Sequence, residues 1–181
     1  SVLLNATGVK QTIQSHHTLS GGCIDQVVKL STKNSAYLLK WKDTLSDQFK
    51  KESRGLRLLR NTQTIHIPEV IKAGSYQGCS YLLMEYIEPG RQSGSFWRDF
   101  GRDLAALHKN SCPNNAFGLD HNNYIGSLHQ CNTFLSNWID FFVTHRLEKQ
   151  IALARNGGLI DDRVVERFHR FYDFLPDILV A

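Results

Sequence analysis

The first ninety positions of the chain carry short hydrophobic runs of the kind that form β-strands. These runs are rich in β-branched and aromatic residues, and they read KQTIQSHHTL, QVVKLST, SAYLLKWK, EVIKAGS and CSYLLMEYI. Turn-forming residues separate them at 20–22, 33–35 and 77–78. The pattern predicts five strands, with one helix inserted after the third.

The inserted helix, predicted over 47–61, carries a carboxylate on its apolar side. The apolar stripe at helical spacing consists of Leu45, Phe49, Leu56 and Leu59. Glu52 lies on the same stripe, three residues after Phe49 and four before Leu56. Because a buried charge is costly without a partner, two outcomes are predicted: a cation meets Glu52, or Glu52 lies at the margin of the stripe and reaches water.

After the Pro-Gly pair at 89–90, the hydrophobic period changes from that of strands to that of helices. Three helices are predicted, in SFWRDFGRDLAALHKN, NWIDFFVTHRLEKQIALA and IDDRVVERFHRFYDF. Residues 111–134 are rich in Asn, Gly and Ser and are predicted to form a structured loop region, and the terminal PDILVA is typical of the start of a strand. The sequence thus predicts an α+β fold, with a sheet-rich lobe over 1–88 and a helical lobe over 89–181.

Composition and charge narrow the classes of partner. The chain has 181 residues, 41% of them hydrophobic and 21% charged, which is typical of a soluble globular protein with a real core. Its net charge of +4 comes from scattered basic residues, so no nucleic-acid partner is predicted. No apolar stretch approaches the roughly 18 residues that span a bilayer, and the first residues lack the features of a signal peptide. We therefore expect a cytoplasmic protein with no membrane partner.

The cysteines and histidines do not form a recognisable metal or disulfide pattern. The four cysteines, at positions 23, 79, 112 and 131, are far apart and include no Cys-x-x-Cys pair. The histidines show no ligand spacing. We expect neither a disulfide scaffold nor a metal site built from the ligands of this chain alone.

The third predicted strand and the following helix hold a lysine and a glutamate in the order found in protein kinases. Strand alternation puts Lys40 on one face with Leu38, and Glu52 follows twelve residues later. In protein kinases such a lysine grips nucleotide phosphates and the glutamate holds the lysine in place. Taken singly, Lys40 is also typical of a solvated edge strand, and the Gly-Gly turn in SGGCID of a plain hairpin. The order of all the parts, ending in the hinge-like LLMEYIE, favours a kinase-like amino-terminal lobe.

Several longer segments resemble one family. LSGGCID, YLLKWK, FKKESRGLRLL, IPEVI, LLMEYIEPG, FGRDLAALH and above all FGLDHNNYIGSLHQCN followed by NWIDFFVTHRLEKQ are similar to the fructosamine kinase (ketosamine-3-kinase) family, over about residues 19–155. The resemblance implies a protein-kinase-like fold: a five-stranded antiparallel lobe with one helix, a hinge, and the first helices of a helical lobe. It implies an enzyme that uses ATP and Mg²⁺ to phosphorylate a sugar hydroxyl of ketosamines, the adducts of sugars with amines, in deglycation repair.

The resemblance also implies the residues that hold the phosphates. Gly21, Gly22 and Cys23 would form the turn that covers them, with backbone N–H groups facing the anion. Lys40 would contact the α- and β-phosphates, and Glu52 would pair with Lys40. Cys23 next to flexible backbone and a lysine has the surroundings of a reactive thiolate, so a redox switch or a disulfide-linked homodimer through Cys23 is predicted beside a plain packing role.

The adenine would lie at the hinge. Met84 would stand at the back of its pocket, and Glu85, Tyr86 and Ile87 would form the segment that receives it. The Glu85 carbonyl and the Ile87 N–H would make the hydrogen bonds to the base. The other partner implied is a sugar-amine small molecule or a glycated protein.

The resemblance implies two motifs that the sequence lacks. These are a catalytic loop similar to HGDLWSGN and a metal-binding Asp motif, which in such folds orient the hydroxyl and hold Mg²⁺. The expectation is therefore a truncated piece whose Mg²⁺ ligands lie elsewhere and which does not transfer phosphate alone. Two alternatives stay open: a phosphotransferase of the aminoglycoside- or choline-kinase type, and a non-catalytic kinase-like module that binds nucleotide.

Overall fold

The structure is a computed structural model that describes residues 2–19, 25–110 and 115–179. The chain separates into two compact units, residues 1–110 and 111–181. The predicted division into a nucleotide-binding lobe over 1–88 and a helical substrate lobe over 89–181 stays a prediction. Within the described ranges, no helix is both long and apolar enough to cross a membrane.

The first unit contains five strands and three helices among its described residues. In chain order these are α1 Val2–Thr7, β1 Ser15–Thr18, β2 Gln26–Ser31, β3 Ala36–Lys42, α2 Gln48–Asn61, β4 Val70–Tyr76, β5 Cys79–Glu85 and α3 Phe96–His108. The strands form one antiparallel sheet in the order β1-β2-β3-β5-β4. The five predicted strands and the α+β class are confirmed.

Strand alternation divides the hydrophobic residues of the sheet between its two faces. On one face, Leu3 of α1 is fully buried with Leu30, Tyr81 and Leu83. Helix α1 was not predicted from the sequence, because six residues are too few to show a hydrophobic period. The Tyr81 hydroxyl donates to Asn5 Oδ1 at 2.8 Å and so fixes this helix to β5.

The other face of the sheet packs against α2. Phe49 is buried there with Leu82 and Met84, and Leu56 packs against the same cluster. The predicted stripe was wrong at its two ends. Leu45 precedes the helix and is 70% exposed, and Leu59 in the last turn is 39% exposed.

The second unit is mainly helical. Its elements are β6 Asn123–Ile125, β7 Leu128–Gln130, α4 Trp138–Phe142, a π-helical turn at Val143–Leu147, α5 Glu148–Asn156, α6 Asp162–Tyr172 and α7 Leu175–Ile178. The predicted loop region therefore contains a small hairpin, which turns at Gly126 with a positive φ of 58°. The strand predicted in PDILVA, residues 176–181, was wrong over 176–178: Leu175–Ile178 is a helical turn, and a proline is well tolerated in a first turn. Residues 180 and 181 lie outside the described ranges.

Candidate active site

The structure brings Lys40 and Glu52 together. The Lys40 Nζ lies 2.8 Å from Oε1 and 3.0 Å from Oε2 of Glu52, so one ammonium group donates to both carboxylate oxygens. The side chains are 22% and 30% exposed, so each is partly hydrated. Glu52 thus both meets a cation and lies at the margin of the buried face.

Local structure explains how the two side chains meet. On β3, Lys40 projects to the same face as Leu38, which packs against the cluster beneath α2. On α2, the most buried residues are Phe49 and Ser53, and Glu52 is one position to the side of that seam. The helix therefore rests on the sheet through its apolar seam, and its edge carries the carboxylate to the strand lysine.

A second lysine, Lys42, and a second carboxylate, Asp25, form a charged cluster with Lys40 and Glu52. The sequence reasoning missed both of these residues. Asp25 is only 8% exposed, with Oδ2 3.8 Å from the Lys40 Nζ and Oδ1 3.4 Å from the Lys42 Nζ. Lys42 donates to Gln48 Oε1 at 2.5 Å. The four charged groups balance, two positive against two negative. The available signal was the two-residue spacing of the lysines, which puts both on one face of the strand.

An aromatic ring lies beneath both ammonium groups. The centre of the Phe49 ring is 5.9 Å from the Lys40 Nζ and 5.3 Å from the Lys42 Nζ. Phe49 is 1% exposed. The ring face attracts cations and keeps water from one side of the cluster.

The predicted adenine site, residues 84–87, covers the last two residues of β5 and the two that follow it. Met84 is 4% exposed and packs with Phe49 and Leu82. Ile87 is 44% exposed, and its backbone N–H makes no hydrogen bond to any residue that the structure describes. Within the described ranges the chain itself does not use this donor, and the residue that carries it is exposed.

Two sets of contacts fix the position of this segment. The Lys29 Nζ lies 4.1 Å above the Tyr86 ring and forms an ion pair with Glu88 at 2.5 Å. Next to it, the Glu85 carboxylate accepts the backbone N–H of Glu69 at 3.0 Å. The Lys29 contacts tie the residues after β5 to β2, which lies beyond β3 in the sheet, and the Glu85 contact ties the end of β5 to the residue before β4.

The remaining predicted site residues lie outside the described ranges. Gly21, Gly22 and Cys23 belong to residues 20–24, for which the structure gives no description. Within the described ranges, no group of three His, Cys, Asp or Glu side chains is placed to hold a metal ion.

In the second unit, a buried polar network lies within the segment most specific to the resembling family. Asn132 is 3% exposed, and its side chain donates to the His121 carbonyl at 3.0 Å and to Asn123 Oδ1 at 2.9 Å. Arg146 donates to Asn132 Oδ1 at 2.6 Å and to the Cys131 carbonyl at 2.8 Å. Burial lowers the pKa of Arg146 from its usual value, although the group keeps its charge. The network ties the small hairpin to the π-helical turn.

Comparison with known proteins agrees with this architecture. The family model described as Fructosamine kinase matches residues 1–178. The chain belongs to the fructosamine kinase family. A protein of Synechocystis assigned as a ketoamine kinase is 40% identical over 162 residues, a match that covers 88% of this chain and 55% of the relative. The chloroplastic protein-ribulosamine 3-kinase of Arabidopsis thaliana is 36% identical over 141 residues, covering 77% of this chain and 43% of the relative.

Solved structures of relatives share the fold. A crystal structure assigned as a fructosamine-3-kinase of Haemophilus somnus matches with a TM-score of 0.85 and 26% identity, over 96% of this chain and 59% of that one. The aminoglycoside phosphotransferase APH(4)-Ia matches with a TM-score of 0.60 and 15% identity, over 96% of this chain and 57% of that one, which shows the fold alone. The predicted protein-kinase-like fold is confirmed. The chain spans about half the length of the curated relatives it matches.

Proposed function

We propose that this chain supplies the nucleotide-binding site of an ATP-dependent kinase that phosphorylates a sugar hydroxyl of ketosamines. The observation that carries the proposal is the ion pair between Lys40 and Glu52, at 2.8 Å, in a member of the fructosamine kinase family. The names of its relatives, ketoamine kinase and protein-ribulosamine 3-kinase, support the class of acceptor. The role that follows is the repair of glycated amines, on a small molecule or on a protein.

In this proposal Lys40 binds the α- and β-phosphates. An ammonium group has three N–H donors, and Glu52 takes two of those of Lys40, so one remains for an anion. Glu52 fixes the direction of the lysine. The cofactors are ATP and Mg²⁺, and Mg²⁺ would neutralise charge on the phosphates. The turn formed by Gly21, Gly22 and Cys23 is proposed to cover them.

The adenine is proposed to lie against the end of β5 and the two residues after it. The Ile87 N–H and the Glu85 carbonyl would form hydrogen bonds with the polar edge of the base. Met84, which is buried, would close the back of the pocket. Tyr86 would be kept in position by its contact with Lys29. Two observations support this assignment: Ile87 is an exposed residue, and its N–H makes no hydrogen bond to any residue that the structure describes.

Calorimetric titration of the chain with ATP tests the site. Lys40→Met removes the ammonium group and keeps most of the side-chain volume, and we expect affinity to fall about tenfold or more, since a charge-assisted hydrogen bond is worth ~1.5–3 kcal/mol. Lys72→Met is the matched control, because Lys72 is a strand lysine whose amine binds the Asn5 carbonyl on the opposite side of the sheet. Equal affinity of wild type and Lys40→Met would refute the proposed site.

A substrate panel separates the proposed acceptor from the alternative. The enzyme that carries this chain is incubated with ATP, Mg²⁺ and one of four compounds: a fructosyl amine, a ribulosyl amine, an aminoglycoside or choline. We expect phosphate transfer to the ketosamines. Transfer to the aminoglycoside or to choline alone would favour the second type of kinase, and nucleotide binding with no transfer to any of them would favour a non-catalytic module.

The proposal extends to a redox-linked homodimer through Cys23 and to a cytoplasmic location. Non-reducing electrophoresis of wild type and Cys23→Ser after oxidation tests the first point. A dimer band that only the wild type shows supports the disulfide, and identical bands in both proteins leave Cys23 with a packing role.

A further inference from the structure

Lys42 lies beside the proposed phosphate-binding lysine and has no role in the proposed function. It follows Lys40 by two residues on β3, so both side chains project from the same face of the sheet. Both ammonium groups contact the carboxylate of Asp25, one at each oxygen. The Lys42 side chain is 18% exposed, so it is mostly but not fully buried.

The contacts of Lys42 leave it able to bind an anion. Among the described residues its amine donates one hydrogen bond, to Gln48 Oε1, so two of its three donors remain. The contact with Asp25 is an ion pair at 3.4 Å, and the buried Oδ1 of Asp25 accepts no hydrogen bond from the part of the chain that the structure describes. The ammonium group is therefore held near Asp25 by charge and can turn to a second acceptor without losing a hydrogen bond.

The register of the sheet places Lys42 beyond Lys40 along the strand. Tyr37 of β3 pairs with Glu85, where β5 ends at the proposed adenine segment. At about 3.3 Å per residue, Lys40 lies about 10 Å from that end and Lys42 about 16 Å from it. A nucleotide whose base lies at the hinge and whose phosphates pass Lys40 would have its outermost phosphate nearest to Lys42.

We propose that Lys42 is a second phosphate-binding residue, which takes the terminal phosphate of a nucleoside triphosphate. Asp25 and Gln48 are its positioning residues, since they hold the ammonium group beside Lys40 when no anion is bound. This inference rests on the proposed function, in which nucleotide phosphates bind at Lys40. The competing role is a structural one, in which Lys42 only neutralises the buried Asp25.

Titrations with ATP, ADP and AMP distinguish the two roles. In Lys42→Met we expect ATP affinity to fall about tenfold, as for the loss of one charge-assisted hydrogen bond, with a smaller loss for ADP and none for AMP. Lys42→Arg keeps the charge and should restore most of the preference for ATP. Lys72→Met is again the control for the loss of one positive charge, and its three affinities should equal those of the wild type.

A paired variant keeps the test valid if Lys42→Met does not fold, because it leaves Asp25 buried without its cation. Asp25→Asn combined with Lys42→Met removes both charges, and it should show the same selective loss for ATP. Equal affinities of the wild type and the folded variant for ATP, or the same fold loss for ATP, ADP and AMP, would overturn the proposal. Lys40→Met reports on the proposed function separately. If it weakens ADP binding while Lys42→Met changes nothing, the site stands and only the role of Lys42 fails.

Discussion

At the scale of single residues, the pair of Lys40 and Glu52 is better suited to positioning than to stability. Both side chains are partly exposed, and ion pairs in contact with water contribute only about 0–1 kcal/mol to stability. Glu52→Gln should therefore change the free energy of unfolding by less than about 1 kcal/mol and still weaken ATP binding, because the lysine loses its fixed direction. Urea denaturation and calorimetry measure the two quantities.

A matched control for this prediction is Asp99→Asn. Asp99 forms an exposed ion pair with Arg102 on α3, so Asp99→Asn removes one carboxylate whose printed contact is with a residue that the proposed site does not use. It should leave ATP affinity unchanged. A large loss of stability in Glu52→Gln, with ATP affinity intact, would contradict the positioning role.

Hydrogen bonds with Thr133 change the acidity of the Cys131 thiol. The side-chain contact with Thr133 at 3.3 Å, followed by a backbone hydrogen bond from the same residue, lowers the pKa of Cys131 from its ordinary value. In a variant with serine at 23, 79 and 112, the rate of alkylation by iodoacetamide should reach half its maximum at a lower pH than it does for an ordinary exposed thiol, because the pKa of Cys131 is lowered. Thr133→Val should move that midpoint upward, and an unchanged midpoint would show that Thr133 has no such effect.

The sequence allowed some of these residues to be predicted and not others. Strand alternation and helical spacing gave the faces on which Lys40 and Glu52 lie, which are local rules, and the likeness to protein kinases paired the two residues. Asp25 could not be found in this way, because its contact with Lys42 depends on the pairing of β2 with β3, in which Gln26 lies opposite Trp41. Register between strands is a property of the whole sheet, and a single sequence does not state it.

At the scale of elements, α1 depends on the sheet for its existence. Six residues are too few for a helix that is stable alone in water. Leu3 is fully buried, so Leu3→Ala should lower the free energy of unfolding by about 2–5 kcal/mol. The neighbouring Leu4 is 44% exposed, and Leu4→Ala is the matched control with a loss well under half of that. Equal losses in the two variants, measured by urea denaturation, would show that α1 does not pack as described.

The burial of Tyr81 predicts how stability depends on pH at the alkaline end. Burial raises the pKa of Tyr81 above its usual value of about 10. Above about pH 10 the unfolded chain releases this proton while the folded chain keeps it, so the unfolded state binds fewer protons and stability falls as pH rises. Tyr81→Phe removes the group and should show a shallower fall above about pH 10. If the free energy of unfolding falls with the same slope in both proteins, the pKa of Tyr81 is not raised by burial.

Elements with a long hydrophobic period were predictable, and short ones were not. The strands and α2 followed from their patterns, whereas the three-residue strands β6 and β7 and the turn Leu175–Ile178 did not. Strands of that length contain too few positions for alternation to appear. In PDILVA the β-branched residues favoured a strand. The structure has a helical turn at Leu175–Ile178 instead, and the proline lies in its first turn, where a proline is well tolerated.

At the scale of the whole molecule, the order of parts was more informative than any one of them. A glycine turn, a lysine strand, a glutamate helix and a hinge-like segment are each common, and in this order they predicted the kinase-like fold that the comparison with solved structures confirms. The order of parts does not predict the site for the sugar-amine acceptor, whose chemistry is proposed from the family. The chain spans about half the length of its curated relatives.

The central claim is that nucleotide binds between the Lys40–Glu52 pair and the segment after β5. A crystal structure of the chain with a non-hydrolysable ATP analogue and Mg²⁺ tests it most directly. The account predicts phosphate oxygens within hydrogen-bond distance of the Lys40 Nζ, the Lys40–Glu52 pair intact, and adenine paired with the Ile87 N–H. A nucleotide bound elsewhere on the chain, or one whose phosphates lie beyond the reach of Lys40 while the pair is intact, would contradict it.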